Sequence, residues 1–341
     1  MCEEGQLKIR NVVATLLLLI TSQAIPAQIT VRAGYFPNIT HAQALVGRAT
    51  GRFEQALGNS AKVDWKMFNA GPSAIEALFA GEVDIIYVGP SPTINGYVRS
   101  HGEALQVVAG AASGGAALVV RSAANIHKIE DFHGKKVATP QLGNTQDVAL
   151  RAWLSQHQLK PTDKGGDVQV IPLANPDQLT LFQRGQLDAA WAPEPWATRL
   201  IQEGGAQLFL DERSLWPNQR FATTELVVRT QFLKQHPEIV KAWLRVHVEL
   251  TQWINKNAAQ AKTILNQQIQ KDTGRGLPPK VIDDAFARLE VTYDPVRSSV
   301  LLSAQRANDL GFFKEKPDLA ALFNVTLLND VLRESNLPAV Q

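Results

Sequence analysis

Cysteine is almost absent from this chain of 341 residues, which contains only Cys2. Because that residue lies at the extreme N-terminus, the rest of the chain has no thiol for a disulfide, a thiolate metal site or a cysteine nucleophile. The chain is nevertheless 45% hydrophobic. A chain of this length and composition is expected to bury a large core and to form about two domains.

An excess of charge of one sign is also missing. The chain has 34 Lys and Arg against 32 Asp and Glu, a formal net charge of +2. No stretch concentrates Lys and Arg, whereas nucleic-acid binders normally present a concentrated basic face. Nucleic acid is therefore not predicted as a partner, although a small positive potential inside a cleft remains compatible with this composition.

Long apolar runs are scarce, and the one at the N-terminus is short. Lys8 and Arg10 precede the apolar residues 12–20, and a small-residue stretch ending in Ala27 follows. This order is typical of a secretory signal with cleavage after Ala27. A membrane anchor is the alternative, but the run is shorter than the roughly 20 residues that span a bilayer. We therefore predict a signal peptide at 1–27 and a periplasmic mature protein.

Catalytic motifs are missing as well. The sequence contains no G-x-S-x-G elbow, no P-loop and no H-E-x-x-H, and no histidine pair has close metal-ligand spacing. We predict a protein that is not an enzyme, with no metal and no cofactor. The alternative from another class is a secreted hydrolase or lyase, which would have to assemble a catalytic pair from distant residues such as His41 and Glu194.

What the chain does contain is a regular alternation of strands and helices. Ser73 and Glu76 have the spacing of a capping box at the start of a helix. A nearly continuous apolar run such as 83–88 is typical of a strand buried on both faces. The alternation predicts an α/β fold. The elements predicted in the first third are strands at 29–36, 62–68 and 83–88 and a helix at 41–57.

A weak internal repeat indicates two similar lobes. Residues 78–84 are echoed by 181–188, and in each case an apolar strand follows and ends in a Pro-x-Pro loop, at 90–92 and 193–195. The chain is expected to cross between the lobes near 118–121 and 222–228, and a long amphipathic helix is predicted at 237–255. The predicted division is a first lobe from 28–118, a second lobe from 119–222, and a return to the first lobe with C-terminal helices over 223–341.

Four loops share one plan, in which a strand is followed by small or polar residues and then by a helix. They are residues 37–41, 70–73, 89–93 and 142–146. Backbone N–H groups at a helix start have no intrahelical partner and lie at the positive end of the helix dipole. In open α/β sheets such loops gather at the carboxyl ends of strands. Ordinary helix capping is the alternative for each loop alone, but together the loops predict a cradle for a small oxyanion. Its candidate residues are Asn38, Thr40, His41, Gly71, Pro90, Ser91, Thr93, Asn144, Thr145 and Gln146.

Aromatic residues could form the walls of such a site. Trp196 follows the stiff Pro-Glu-Pro segment and offers an apolar surface. Glu194 could accept a hydrogen bond from a ligand amine or fix a neighbouring loop. Tyr35 and Phe36 end the first strand and could line the opposite wall or belong to the core. We include all four among the predicted ligand-binding residues.

Several of these stretches resemble the substrate-binding proteins of importers for aliphatic sulfonates, taurine, nitrate and bicarbonate. The resemblance runs roughly from residue 29 to residue 240. The stretches that carry it are G-Y-F-P at 34–37, F-N-A-G-P-S-A-I-E-A-L at 68–78, G-E-V-D at 81–84, V-G-P-S-P at 88–92 and G-K-K-V-A at 134–138.

The resemblance implies a two-lobed periplasmic-binding-protein fold of type II, with two hinge strands and a helical C-terminal extension. It also implies a small anionic ligand in the cleft and delivery to an ABC transporter permease in the cytoplasmic membrane. We expect the protein to be a monomer. The A-G-P and V-G-x-x-P stretches look more like the sulfonate and taurine branch, where Ser91, Thr93, Asn144 and Thr145 would hold the sulfonate near Asn38 and Gly71. The Pro-Glu-Pro-Trp stretch is also similar to nitrate-type relatives. Nitrate, bicarbonate and a neutral or cationic ligand such as a thiamine precursor therefore remain alternatives.

Overall fold

The computed structural model describes residues 28–341, and the predicted signal peptide with Cys2 lies outside the described residues. The strands form two separate sheets, of six and of five strands. Strands of the first sheet are β1 (Ile29–Tyr35), β2 (Ala61–Met67), β3 (Ile85–Val88), β4 (Leu105–Gly114), β10 (Ala222–Arg229) and β11 (Leu289–Val291). Strands of the second sheet are β5 (Ala116–Arg121), β6 (Lys136–Thr139), β7 (Gln169–Pro172), β8 (Ala189–Pro193) and β9 (Ala206–Asp211).

The two sheets repeat one topology. The first has the order β2-β1-β3-β10-β4-β11 and the second the order β7-β6-β8-β5-β9. In each, three parallel strands are followed by one antiparallel strand, which is β10 in the first sheet and β5 in the second. The predicted two-lobed α/β fold is confirmed, and each lobe is one of these sheets with the helices that cover it.

Helices cover both faces of each sheet. One face of the first sheet packs against α1, α2, α9, α10, α11 and α13, and its other face against α3, α4 and α12. The second sheet lies between α5 on one face and α6 with α7 on the other. The helices are α1 (Ala42–Thr50), α2 (Arg52–Leu57), α3 (Gly71–Phe79), α4 (Pro90–Arg99), α5 (Thr145–Gln156), α6 (Asn175–Gln183), α7 (Trp196–Glu203), α8 (Thr230–Gln235), α9 (Pro237–Lys256), α10 (Ala258–Thr273), α11 (Pro279–Phe286), α12 (Arg297–Asp309) and α13 (Thr326–Glu334).

Two local predictions about helices were wrong. The helix expected over 41–57 is two helices, because Gly51 adopts a left-handed conformation with φ of 66° and ends α1. The capping box of Ser73 does not form, since α3 begins earlier, at Gly71, and the Ser73 hydroxyl donates to the Ala70 carbonyl at 3.0 Å. The long C-terminal helix is present as α9.

The chain crosses between the sheets twice. The first crossing lies at Gly114 and Gly115, where φ values of 73° and 76° favour glycine. It precedes the segment 118–121 from which the crossing was expected, because that segment belongs to β5 of the second sheet. The return runs through residues 212–221 between β9 and β10, and so it also precedes the expected segment 222–228, which belongs to β10 of the first sheet. The exact bounds of the lobes stay a prediction.

No helix within residues 28–341 combines the length and the apolar character needed to cross a bilayer. The most apolar segments are instead short strands such as β3, whose four residues are all buried. Apolar character in the described part of the chain thus serves the cores of the two lobes.

Candidate functional site

A small polar cavity lies between the two sheets. Its wall is built by the loops that follow β1, β2, β3, β6 and β7, by the end of β8, and by the first residues of the antiparallel strand β10. Loops after parallel strands meet at one edge of a sheet, which is why ligands bind there in open α/β folds. The lining residues are Phe36, Asn38, Thr40, His41, Asn69, Gly89, Asn144, Thr145, Gln146, Asn175, Pro193, Thr223 and Thr224.

The lining is rich in uncharged hydrogen-bonding groups from both lobes. Among the described residues that line the cavity, none is a Lys, Arg, Asp or Glu. The Thr145 hydroxyl is buried and has no hydrogen-bond partner within residues 28–341, which is unusual because buried polar groups are nearly always paired. The cavity holds about 20 Å³, which is space for roughly one water-sized group. A larger ligand therefore requires the lobes to lie further apart in the bound form than they do in this structure.

His41 contributes a neutral imidazole to this wall. Its Nδ1 accepts a hydrogen bond from the Phe36 backbone N–H at 3.3 Å, and the two rings stack with centroids 4.5 Å apart. Burial lowers the pKa of His41 to about 3. The accepting Nδ1 and the low pKa place the proton of the neutral ring on Nε2. His41 is therefore a hydrogen-bonding group at neutral pH and not a cation.

The structure brings half of the predicted ligand-binding residues to the cavity wall. Six of them come from the first and the fourth of the predicted loops, which belong to different lobes, and Phe36 directly precedes the first loop. These residues are Phe36, Asn38, Thr40, His41, Asn144, Thr145 and Gln146.

Tyr35 points away from the cavity. Its hydroxyl donates to Asp272 of α10 at 2.8 Å, and its ring packs edge-on against Trp65. Because successive side chains of a strand alternate between faces, Tyr35 and Phe36 lie on opposite sides. The prediction that both could form a wall is wrong for Tyr35, which is part of the core.

The prediction that Thr93 contacts the ligand is also wrong. Its hydroxyl donates to the Gly89 carbonyl one turn earlier in α4, at 2.9 Å, and the residue is fully buried. Gly71 and Pro90 begin α3 and α4, next to the lining residues Asn69 and Gly89, but are not part of the wall. Ser91 lines a smaller neighbouring cavity.

Glu194 and Trp196 connect the lobes without lining the cavity. The Glu194 carboxylate forms an ion pair with Arg288 at 2.9 Å and accepts hydrogen bonds from the Thr198 backbone N–H and hydroxyl at 3.1 and 2.9 Å. The Trp196 indole N–H donates to the Asn38 side-chain oxygen at 2.9 Å. Of the two roles considered for Glu194, the contacts match the fixing of neighbouring segments, because both carboxylate oxygens bond to Arg288 or Thr198 and the residue does not line the cavity.

Sequence reasoning missed several lining residues. Asn69 and Asn175 occupy equivalent places, after β2 and after β7. The internal repeat covers only the segments around β3 and β8, and the correspondence of β2 with β7 becomes visible in the strand orders of the two sheets. Thr223 and Thr224 carried no such signal, since they begin a strand that was interpreted only as a crossing between lobes.

Larger grooves of about 370 to 420 Å³ lie on the outside, along α12 or at its C-terminal end. They are not formed by the converging strand ends of the two sheets. The small cavity is therefore the stronger candidate site, because donors from both lobes converge there.

Glu225 follows the two lining threonines and is a buried carboxylic acid. It lies on β10 opposite Val88 and Gly110. Both of its carboxyl oxygens lack a hydrogen-bond partner among the described residues. Burial raises the pKa of Glu225 well above its usual value of 4.5. The folded protein therefore keeps this carboxyl protonated at pH values at which a free glutamate is ionised.

Replacement of Glu225 by glutamine is expected to remove a pH dependence of stability. Because the pKa of Glu225 is higher in the folded state than in the unfolded state, protonation of this carboxyl favours folding. The resulting stabilisation is complete below the unfolded-state pKa and is lost as the pH rises towards the folded-state pKa. Relative to the wild type, Glu225→Gln should therefore gain up to about 1.4 kcal/mol of unfolding free energy per pH unit in that window. Urea unfolding from about pH 5 to about pH 8 measures the gain. The exposed Glu249→Gln on α9 is the control, and a difference for Glu225→Gln that does not change with pH would contradict the prediction.

The chain forms two β-sheets of the same topology, each covered by helices, and it crosses twice between them. This arrangement, with a polar cavity between the sheets, defines a periplasmic-binding-protein fold. The chain belongs to the NMT1-like family, whose model matches residues 24–266. It is 30% identical to the taurine-binding periplasmic protein of Escherichia coli (strain K12) over 243 residues, 71% of each chain. It is 24% identical to a putative aliphatic sulfonates-binding protein of Bacillus subtilis (strain 168) over 297 residues, 85% of each chain. The predicted family resemblance is confirmed, and these relatives are named as binding proteins rather than enzymes.

Solved structures support the same fold. The periplasmic aliphatic sulphonate binding protein of Escherichia coli has a TM-score of 0.70 at 22% identity, covering 89% of this chain and 99% of that chain. The periplasmic nitrate-binding protein of Synechocystis PCC 6803 has a TM-score of 0.73 at 16% identity, covering 92% and 90%. Identities this low bear on the fold alone, and the fold agrees in both cases.

Proposed function

We propose that this chain is the solute-binding component of an ABC importer and holds a small organic anion, an alkanesulfonate or a taurine-like compound, between its lobes. The observation that carries the proposal is the cavity lined by hydroxyls and amides of both lobes, with the unpaired Thr145 hydroxyl facing it. The relatives named for taurine and for aliphatic sulfonates support this ligand class.

The binding cycle follows from the two-lobed architecture. With the lobes apart, a ligand reaches the loops that follow the strands, and a hinge motion at the two crossings then closes the lobes on it. Closure excludes water, so each hydrogen bond to the anion is made in a medium of low dielectric constant and is stronger than in water. The first lobe contributes Thr40 and Thr223, and the second contributes Asn144 and Thr145.

The other candidate functions have less support from the geometry. A cationic or neutral amine ligand would use Glu194, which is already paired with Arg288 and Thr198. A hydrolase built on His41 and Glu194 would need an available carboxylate beside a histidine that titrates near neutral pH. Burial instead holds the pKa of His41 at about 3. We therefore propose binding without turnover. Export to the periplasm by residues 1–27, a monomeric state and docking on a permease belong to the same proposal.

Isothermal calorimetry with ethanesulfonate, taurine, nitrate, bicarbonate and ethylamine tests the ligand class. Ethanesulfonate or taurine should bind most tightly. Thr145→Val keeps the shape of the side chain but removes the unpaired hydroxyl, and should weaken sulfonate binding about 10-fold, the value of one hydrogen bond to a charged group. Thr180→Val, on an exposed face of α6, should bind like the wild type. A folded protein that binds none of these anions would overturn the proposal.

A further inference from the structure

A second, smaller cavity adjoins the first, and the two share Thr145. It holds about 10 Å³ and lies where α4 and α12 of the first lobe meet α5 of the second lobe and the returning segment 212–221. Its lining residues are Ser91, Thr145, Val148, Ala149, Glu212, Trp216, Phe221, Ala222, Ser303 and Arg306. This second cavity contains charged side chains, unlike the first.

Arg306 is the only arginine or lysine lining either cavity within residues 28–341. Its guanidinium lies over the ring of Trp216, 4.2 Å from the centroid. No hydrogen bond or ion pair joins this guanidinium to any other described side chain, although the surrounding residues partly bury it. A guanidinium remains charged in proteins and carries five N–H donors in a planar fork that matches an oxyanion.

Glu212 is the nearest acidic group, but its oxygens are engaged elsewhere. Its Oε2 accepts from the Trp191 indole N–H at 2.7 Å, and its Oε1 accepts from the Trp216 indole N–H at 3.3 Å. Burial raises the pKa of Glu212 to about 7, although the two indole hydrogen bonds and the charge of Arg306 oppose the rise. Glu212 therefore fixes the two tryptophans and leaves the charge of Arg306 only partly compensated.

Hydroxyl donors from both lobes face the same cavity. Ser91 is the second residue of α4 and Thr145 is the first residue of α5, so each lies at a helix start where backbone N–H groups are unpaired. Ser303 of α12 adds a third hydroxyl. The buried Thr145 hydroxyl lines both cavities and has no partner among the described residues, which independently points to a ligand contact there.

We propose that the second cavity is an anion subsite in which Arg306 pairs with the oxyanion of the ligand, while the hydroxyls and amides of the first cavity make the remaining polar contacts to the ligand. Thr145, Ser91 and Ser303 donate further hydrogen bonds to the oxyanion. The ligand class is thereby a compound with a sulfonate, or a chemically similar tetrahedral or carboxylate oxyanion, at one end. This inference rests on the proposed function and adds the charge selectivity of the site.

Arg306 also links recognition of charge to closure. It lies on α12 of the first lobe, whereas Thr145 begins α5 of the second lobe. An oxyanion can touch both only when the lobes are together. The energy of the ion pair is therefore available to the closed form and not to the open one, which shifts the population towards closure.

The test compares ethanesulfonate with ethyl methyl sulfone, which has nearly the same shape and no charge. The wild type should bind the sulfonate at least about 100-fold more tightly than the sulfone. In Arg306→Gln the affinity for the sulfonate should fall about 10- to 100-fold, as expected for one charge-assisted contact, while the affinity for the sulfone should hardly change. Arg306→Lys should recover part of the loss, because it restores the charge without the fork.

The matched control is Arg297→Gln, on the same helix, since Arg297 also stacks on an aromatic ring, that of Phe323, but lines only outer grooves. If the ratio of sulfonate to sulfone affinity is the same in Arg306→Gln as in the wild type, the proposed anion subsite is wrong and the proposed function still stands. A wild type that binds neither compound nor any other small anion would overturn the proposed function itself. If Arg306→Gln does not fold, the same ratio in Arg306→Lys decides, and an unreduced ratio there counts against the subsite.

Discussion

Replacement of Gly89 by alanine is expected to weaken ligand binding about 10- to 100-fold, with a loss of unfolding free energy no larger than the roughly 1 to 3 kcal/mol that overpacking costs. An alanine Cβ at this position would lie 2.3 Å from the Thr145 hydroxyl and 3.3 Å from the Thr223 carbonyl oxygen. Gly89 follows β3 in the first lobe and Thr145 begins α5 in the second, so the severe contact with Thr145 exists only when the lobes are closed, whereas the milder contact with Thr223 lies within the first lobe. Overpacking of this kind costs about 1 to 3 kcal/mol, which is 10- to 100-fold in affinity when closure is coupled to binding.

The backbone does not oppose this substitution. Gly89 has φ of −75° and ψ of 159°, which any residue adopts, so the first lobe should fold normally. Calorimetry gives the affinity and urea unfolding gives the stability. Gly276→Ala, where the nearest neighbour is the Asn266 side chain at 3.3 Å, is the control outside the cavity. Wild-type affinity in Gly89→Ala would show that the lobes do not close to this contact in the bound state.

Replacement of Arg288 by methionine is expected to cost about 3 kcal/mol of unfolding free energy at neutral pH. Arg288 precedes β11 of the first sheet, and its guanidinium donates to the Glu194 carboxylate at 2.9 Å and to the Thr198 hydroxyl at 2.6 Å. Glu194 is fully buried, and loss of one partner of a buried ion pair leaves the other charge without compensation. Since Glu194 belongs to the second lobe, the same change should also favour the open form and weaken ligand binding.

The pH dependence gives a second readout of this pair. Burial already raises the pKa of Glu194 above its usual 4.5, and Arg288 opposes that rise. Without Arg288 the folded-state pKa should rise further, so the destabilisation should be greatest at neutral and alkaline pH and should shrink as the pH falls towards the unfolded pKa of about 4.3. Urea unfolding across this range measures the effect.

Two further variants make the result on Arg288 decisive. The double variant Arg288→Met with Glu194→Gln should recover part of the lost stability, because no buried charge is then left alone. Arg333→Met, which breaks the pair with Asp330 at the surface, should cost less than about 1 kcal/mol. A loss of that small size for Arg288→Met would mean that the inter-lobe ion pair contributes little.

The loops at 37–41 and 142–146 show how much of the candidate site is predictable. Asn38 and Asn144 follow short strands and precede helical segments, a pattern that sequence periodicity reveals. Because the carboxyl ends of parallel strands share one edge of a sheet, the position of such a loop in the sequence already places it at the cavity. The neutral donor chemistry of the first cavity was predicted for the same reason.

Thr93, Glu194 and Tyr35 show where that reasoning stops. The sequence indicates a polar or aromatic residue near a strand end, but not whether its side chain turns to the cavity, to its own helix or to the core. Thr93 bonds to the backbone one turn away, and Tyr35 lies on the opposite face of its strand from Phe36. These choices depend on side-chain direction, which differs between adjacent residues.

The alternation of strands and helices, the two similar lobes and the hydroxyl and amide donors of the strand-end loops were determined by the sequence alone, because they follow from local propensity and periodicity. Only the tertiary structure decided which of these groups meet. Asn38 bonds to Trp196 across 158 residues, and Arg288 pairs with Glu194 across 94. The single Arg306 beside the Thr145 hydroxyl belongs to the same class of contact, because α12 returns to the junction of the lobes from the far end of the chain. Such pairings depend on how two separately formed sheets dock, and no local pattern of residues encodes that arrangement.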